Sequence, residues 1–185
     1  DLDDTALHPA LAAADVLGEA RLNQGLSEFL AAYRFSGAPY PTTQDLLRFV
    51  YRQATADEQA LLAGWFEAIE LYDLKLLGVE SQALAQGGYE ITLNIEAHRY
   101  RADGQGQEAE IDLDEMIPLA LLDHDPDDPA AEAALADLSS QLQRVRIQRG
   151  DNRIRLQLEH LPRFIVLDPL ITRIERNLDD QKVAL

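Results

Sequence analysis

The sequence predicts an α+β protein in which an N-terminal segment of about four helices precedes a small antiparallel β-sandwich. The main observation is a change of hydrophobic period near Tyr72. Apolar residues recur at helical spacing before it and alternate with polar residues after it. A second observation is that turn-forming clusters separate the alternating runs, as is typical of antiparallel strands. We therefore divide the chain into a helical segment over residues 1–70 and a β-sandwich domain over residues 71–185.

Two helices are predicted in the first 33 residues. Residues 6–17 are rich in alanine and leucine, and Gly18 is a typical residue after a helix end. Residues 19–33 carry one apolar stripe at helical spacing, formed by Leu22, Leu26, Phe29, Leu30 and Tyr33. Residues 36–41 contain two prolines and a glycine, so they connect rather than continue the helix.

A near-capping box and a full capping box predict the starts of the third and fourth helices, respectively. Thr42 is followed three positions later by Asp45, and Thr55 by Glu58. The inner face of the third helix is predicted to be Leu46, Leu47 and Val50. The stripe of the fourth is predicted to be Leu61, Leu62, Trp65, Phe66 and Ile69. We expect the large aromatic pair, Trp65 and Phe66, to be buried where the helices meet the sandwich.

Six strands are predicted in the second half of the chain. Apolar and polar residues alternate from Tyr89 to His98, a turn follows at 103–106, and Ile111 and Leu113 continue the alternation. This pattern predicts a first hairpin. Residues 71–82 and 163–168 are predicted to add two further strands.

A second hairpin is predicted around a turn at residues 150–152. Its apolar positions are Val145, Ile147, Ile154, Leu156 and Leu158. Its outer face is predicted to be basic, through Arg144, Arg146, Arg153 and Arg155, whereas the outer face of the first hairpin is acidic. Solvation or complementary packing explains this asymmetry, and a contact face for another domain is the alternative.

Composition limits the classes of function. The 33 acidic residues outnumber the 16 basic ones and give a net charge of −17, which argues against binding to nucleic acid or to anionic lipid. There is no cysteine, and no apolar run reaches the ~20 residues of a membrane helix, so we expect a soluble piece. The chain begins at Asp1 rather than at methionine, and we expect it to be processed or part of something longer.

No catalytic, cofactor-binding or metal-binding residue is predicted. The four histidines, His8, His98, His124 and His160, include no H-E-x-x-H pair, and no G-x-S-x-G or glycine-rich phosphate loop occurs. The acidic segment 123–128 matches a calcium loop at Asp123, Asp125 and Asp127. It has Asp128 where glycine is required and Ala134 where glutamate is required. We predict a solvated surface insertion there, with a weak calcium site in a calcium-stabilised domain as the alternative.

Four strings carry a family resemblance. Residues 30–45, LAAYRFSGAPYPTTQD, resemble the late helical region of bacterial zinc aminopeptidases of the aminopeptidase N type (gluzincins), in the variety fused to an ABC-type permease. Residues 65–75, WFEAIELYDLK, resemble the junction with that family's C-terminal β domain. Residues 89–117 are similar to its long hairpin, and residues 167–180, with a D-P and an R-N-L-D-D, to its closing segment.

The resemblance implies the function of the chain. It is that of the non-catalytic C-terminal part of a membrane-associated zinc metallopeptidase, inactive by itself, with zinc held in a catalytic domain before Asp1. The implied partners are the catalytic domain and permease region of the same polypeptide, and a peptide substrate at the cleft. The parent is implied to lie in the bacterial inner membrane, with this region outside the cytoplasm. The alternative is a protein-interaction β-sandwich of a transporter-linked protein without peptidase activity.

Overall fold

The computed structural model describes residues 7–128 and 142–185, and within them four helices precede two antiparallel sheets of four strands. The helices are α1 Leu7–Leu17, α2 Glu19–Tyr33, α3 Thr43–Tyr51 and α4 Ala56–Phe66. The strands are β1 Ile69–Ala83, β2 Tyr89–Ala102, β3 Glu108–Ile111, β4 Asp114–Leu122, β5 Gln143–Gln148, β6 Gly150–Leu158, β7 Phe164–Leu167 and β8 Lys182–Ala184. Two compact units result, Asp1–Ile69 and Glu70–Leu185, named here the helical unit and the strand unit.

Both predicted capping boxes are confirmed. At the start of α3, Thr42 Oγ1 accepts the Asp45 N–H at 3.4 Å and the Asp45 carboxylate accepts the Thr42 N–H at 2.9 Å. At the start of α4, the corresponding distances between Thr55 and Glu58 are 3.4 and 2.8 Å. Each box satisfies two backbone donors that a helix start otherwise leaves unpaired, so these two starts are set by local sequence.

Helix α2 packs on α3 through its glycine rather than through its whole predicted stripe. Gly25 is buried, and a Cβ atom there would lie 3.1 Å from the carbonyl oxygen of Phe49. Because the contact face is centred on Gly25, Leu30 lies well around the helix from it and is 62% exposed. The prediction that Leu30 faces the core is therefore wrong.

The α4 stripe is confirmed only in part. Leu62 is fully buried in a cluster with Ala13, Leu17 and Val50, but Trp65 and Phe66 are half-buried at its edge. Ile69 is 52% exposed because α4 has already ended and β1 begins there. The expectation that the aromatic pair is buried is therefore confirmed only in part.

The first sheet is organised around β2. Strand β3 pairs with its C-terminal part, from Arg99↔Ile111 to Ala102↔Glu108, which confirms the first hairpin. Strand β6 pairs with its N-terminal part, from Tyr89↔Leu158 to Ala97↔Gly150, and β1 is its other neighbour.

The second sheet has the order β5-β4-β7-β8, and it overturns the second predicted hairpin. Strand β5 pairs with β4, whereas β6 belongs to the first sheet, so the chain changes sheets at Arg149. The four arginines assigned to one basic face therefore lie on two different sheets. Strand β4, the partner of both β5 and β7, was not predicted, because its apolar run is unbroken and contains Pro118, a residue that argues against a paired strand.

One apolar cluster fills the strand unit and draws on both sheets. Its fully buried members alternate along each strand, as period-2 packing requires. They include Tyr72, Leu74, Ile91, Leu93, Ile95, Ile117, Leu119, Ile147, Ile165 and Leu167. The alternation of β1 shifts by one position at Leu77, where Leu76 and Val79 both face the cluster, as expected for a bulge.

Candidate functional site: a buried ion network

The most unusual chemistry of the chain is a set of charged side chains buried beside this apolar cluster. Three carboxylates, Glu70, Glu115 and Asp168, are each at most 7% exposed. They face three guanidinium groups, which belong to Arg99, Arg101 and Arg173. We call these six residues, together with Tyr72 and Thr172, the ion network. Its formal charges balance, which is the usual condition for burying ions.

The strands place these side chains by simple alternation. Glu70 and Tyr72 occupy the inward positions of β1 that Leu74 and Leu76 continue. Arg99 follows the inward series of β2 that includes Ile95 and Ala97. Glu115 occupies the inward position of β4 next to Ile117. Each strand therefore begins or ends its apolar series with a group that carries a charge or a hydroxyl.

Glu115 is the centre of the network. Its Oε1 accepts a hydrogen bond from the Tyr72 hydroxyl at 2.9 Å and lies 2.9 Å from Arg99 Nη1. Its Oε2 accepts from Nε and Nη2 of Arg173, at 3.1 and 3.0 Å. Because Tyr72 and Arg99 lie in the first sheet and Glu115 in the second, this carboxylate ties the two sheets together.

Glu70 completes the network at the start of the strand unit. Its Oε2 accepts from Nε of Arg99 at 3.0 Å, and its Oε1 accepts from Nε of Arg101 at 3.1 Å. One carboxylate thus receives two arginines of the same strand. The arginines differ in exposure, since the side chain of Arg99 is 13% exposed and that of Arg101 is 55% exposed.

A strained segment after β7 carries the remaining members. Asp168 and Ile171 adopt positive φ angles of 42° and 49°, which L-residues with side chains seldom adopt. The Asp168 carboxylate accepts hydrogen bonds from the Thr172 hydroxyl at 2.5 Å and the Arg173 backbone N–H at 3.0 Å. These bonds hold the turn that directs the Arg173 side chain inward, where it is 5% exposed as a residue.

Electrostatics favour the protonated forms of Arg173 and Tyr72 in the network. Burial opposes the charged form of Arg173, but the Asp168 and Glu115 carboxylates outweigh it, so its pKa is raised. Burial, and next the Glu115 charge, raises the pKa of the Tyr72 hydroxyl against the opposing effect of Arg99 and Arg173. Tyr72 therefore stays protonated, and the guanidinium groups of Arg99 and Arg173 lie over its ring, 5.5 and 5.6 Å from the centroid.

This arrangement is suited to support rather than to chemistry. Both oxygens of Glu70 and both of Glu115 already accept from donors, so neither carboxylate is poised as a general base for a substrate. A buried network of this kind fixes the register of the elements that supply it, because a slipped strand would leave a charge unpaired.

The histidines singled out from the sequence are not brought together. The His98 ring lies between two glutamates, with Nδ1 2.7 Å from Glu110 and Nε2 3.4 Å from Glu96, and the hydrogen bond to Glu110 is the main cause of its raised pKa. His160 is exposed. The side chain of His8 lies outside the described residues. Within the part of the chain that the structure describes, no three metal-binding side chains are arranged to hold an ion.

The acidic segment considered as a calcium loop contacts a lysine. The ammonium group of Lys182 lies against the carboxylate of Asp127 and 3.6 Å from Oδ1 of Asp125. The Asp127 backbone N–H donates to the Asp125 carboxylate at 3.0 Å. Lys182 is the positive charge that these two carboxylates face. Ala134, the last position considered for this loop, lies outside the described residues.

No protein-family model matches the chain, and no curated protein matches it either. No helix in residues 7–128 or 142–185 is both long enough and apolar enough to cross a bilayer.

The ion network was missed by the sequence analysis, although a signal for it was present. Glu115 falls in the inward phase of Leu113 and Ile117, and Arg99 falls in the phase of Ala97. A charged residue in the phase of an apolar series predicts a buried ion that needs a partner. The partners lie up to about a hundred positions apart in sequence, so their pairing could not be read from spacing.

Proposed function

We propose that this chain is the non-catalytic C-terminal part of a membrane-associated zinc metallopeptidase of the aminopeptidase N type. In this proposal the helical unit forms one wall of the peptide cleft, and the two sheets form a β-sandwich that packs on the rest of the polypeptide. Zinc and peptide are held by a catalytic domain that precedes Asp1. A permease region holds the parent in the bacterial inner membrane, with this part outside the cytoplasm.

The observation that carries the proposal is the position of the helix-to-strand change. Residues 65–75 are the string that resembles the junction between helical and β regions in that family, and α4 ends and β1 begins within it. Glu70, in the same string, enters the ion network. A domain that packs on the rest of its polypeptide must keep its shape, and a buried network with every carboxylate paired supports that role for the strand unit.

An activity comparison tests this proposal. The 185-residue chain and the longer gene product that includes the residues before Asp1 are assayed with aminoacyl p-nitroanilides and added zinc. We expect turnover only from the longer protein, together with an H-E-x-x-H motif in its additional sequence. Sustained turnover by the 185-residue chain would contradict the proposal, and so would an additional sequence without the motif.

A matched pair of substitutions in the longer protein tests whether the ion network supports its peptidase activity. Glu70→Gln removes one charge from the network, whereas Glu80→Gln alters an exposed residue of the same strand that pairs with Arg153. We expect the first variant to lose peptidase activity at a lower temperature, with KM unchanged below that temperature, and the second to behave as the parent. If both variants lose activity at the same temperature, the ion network does not support the peptidase.

A second candidate function is a protein-interaction β-sandwich of a transporter-linked protein without peptidase activity. It is favoured by large apolar side chains exposed on the strand unit, among them Leu77 at 62%, Ile174 at 58% and Met116 at 50%. Two results together would favour this candidate. The longer protein would lack the zinc motif, and the immobilised 185-residue chain would bind the permease region.

A further inference from the structure

The helical unit exposes an aromatic ring in a backbone conformation that is costly for it. Phe35 is 96% exposed and has a φ angle of 61°. A bulky L-residue in this region is an outlier, and such strain recurs at binding sites. The conformation is held by Ser36, whose backbone N–H and hydroxyl donate to the Tyr33 carbonyl at 3.1 and 2.6 Å.

Helices α2 and α3, which precede and follow Phe35 in the chain, hold three aromatic rings in contact, named here the aromatic floor. The rings of Phe29 and Tyr33 on α2 lie 5.1 Å apart, and each packs edge-on against Phe49 of α3, at 5.9 and 6.2 Å. All three side chains are half-buried, so each leaves part of its surface in contact with solvent. Aromatic residues in this setting are typical of the anchoring part of an interface.

Two arginines of this region lie over aromatic rings, one over Phe35 and one over Phe49 of the floor. The guanidinium of Arg34 lies 5.4 Å from the Phe35 centroid, and that of Arg52 lies 4.8 Å from the Phe49 centroid. Neither group makes a salt bridge with any carboxylate among the described residues, although the chain has 33 acidic residues against 16 basic ones. Cations that have no carboxylate partner among the described residues are available to an acidic partner.

We propose that this surface, formed by Phe29, Tyr33, Arg34, Phe35, Phe49 and Arg52, binds a protein segment that carries acidic residues around a large apolar side chain. The apolar side chain contacts Phe35 and the aromatic floor, and the carboxylates pair with Arg34 and Arg52. The net charge of −17 repels nucleic acid and anionic bilayers, whereas a short acidic segment can approach the local positive charge within the screening distance.

A displayed library of random 12-residue peptides tests the proposal, with the 185-residue chain as the immobilised target. We expect the recovered peptides to be rich in aspartate and glutamate and to contain at least one large apolar residue. Phe35→Gly should weaken the best peptide by roughly tenfold or more, as loss of an interface anchor does. The same variant should unfold at the same or a higher urea concentration, because glycine accepts the positive φ angle. A purely structural role for Phe35 would lower that concentration.

Arginine variants complete the test. Arg34→Gln and Arg52→Gln should each weaken binding by roughly threefold and reduce its dependence on salt. Arg48→Gln is the matched control, since Arg48 lies on α3 but pairs with Asp45. The proposal is overturned if no peptide is enriched, if the recovered peptides lack excess acid, or if Phe35→Gly binds as well as the parent. It is also overturned if the surface instead mediates self-association or binding to phosphatidylglycerol vesicles that Phe35→Gly abolishes.

Discussion

Among the residues whose side chains are described, the strand unit buries fourteen apolar residues in one cluster, whereas the main cluster of the helical unit has four. The strand unit adds buried ion pairs to its core, and the helical unit relies on capping boxes and half-buried aromatic rings. Free energies of local opening follow buried apolar contact. The comparison teaches that the helical unit should open first.

The largest effect is expected from breaking the ion network. Glu115→Ala leaves Arg99 and Arg173 without a shared carboxylate in a buried site, which costs on the order of 3–5 kcal/mol. Urea unfolding followed by far-UV circular dichroism should show the loss in the strand transition. Trp65 is the only tryptophan and reports on the helical unit, so its fluorescence transition should stay in place.

Asp114→Ala provides the control for this prediction. Asp114 lies next to Glu115 on β4, but its ion pair with Arg146 is exposed to solvent. Exposed pairs contribute little, so this variant should unfold close to the parent. If both variants are destabilised equally, burial is not what gives the network its importance.

A smaller effect is expected from Gly88→Ala at the turn between β1 and β2. Gly88 has a φ angle of 79°, and a Cβ atom there would lie 2.6 Å from the Leu158 carbonyl oxygen. The clash and the backbone strain together should cost roughly 2–3 kcal/mol. Gly87→Ala is the comparison, because Gly87 also has a positive φ angle but has free space around it. Its cost should be limited to the backbone term, and equal costs would show that the clash is relieved.

In the helical unit, Trp65→Ala should cost about 2 kcal/mol, less than for a fully buried tryptophan, because the side chain is half-buried. Trp65→Phe should cost much less. It retains most of the packing and removes an indole N–H that is buried without a hydrogen-bond partner among the described residues. Thermal unfolding followed at 222 nm measures both. A Trp65→Phe loss as large as that of Trp65→Ala would mean that the N–H is paired in solution.

The smallest effect is expected in the pH dependence of the free energy of unfolding, which should have opposite signs in the two units. The hydrogen bond from Arg21 lowers the pKa of Glu58 in α4 to about 2. The stability that the ionised Glu58 adds to the folded state is therefore complete above pH 4.5, its ordinary pKa, and is lost as pH falls towards 2. Burial raises the pKa of Glu175 to about 7, despite backbone N–H donors that include Leu74. The stability that the protonated Glu175 adds to the folded state is complete below pH 4.5, its ordinary pKa, and is lost as pH rises through 7.

Two observables separate these contributions. Trp65 fluorescence follows the helical unit, and exchange of the Leu74 amide hydrogen follows the edge where Glu175 accepts its bond. Glu58→Gln should flatten the acid-side loss, and Glu175→Gln should flatten the loss between pH 4.5 and 7. A common pH dependence of both observables would show that the two units unfold together.

The same contrast explains what the sequence could predict. The helical unit was accessible because its signals are local: Thr42 and Thr55 cap helices three residues before Asp45 and Glu58. The first hairpin was accessible for the same reason. The second sheet was not, because β4 carries Pro118 in an unbroken apolar run and pairs with strands far along the chain. For the ion network, the sequence indicates only that Glu115 and Arg99 occupy inward positions of their strands.

Two of the three points at which the described chain changes sheets, between β3 and β4 and between β5 and β6, limit how its length can vary. The Arg149 N–H, between β5 and β6, donates to the carbonyl of Leu113, between β3 and β4, at 2.9 Å, so the two crossings are joined. One inserted residue at either crossing would move the core-facing side chains of the following strand to its solvent-facing side, because strand side chains alternate with period two. Insertions and deletions should therefore be tolerated at the solvent-facing turn 103–106 and rejected at Leu113 and Arg149.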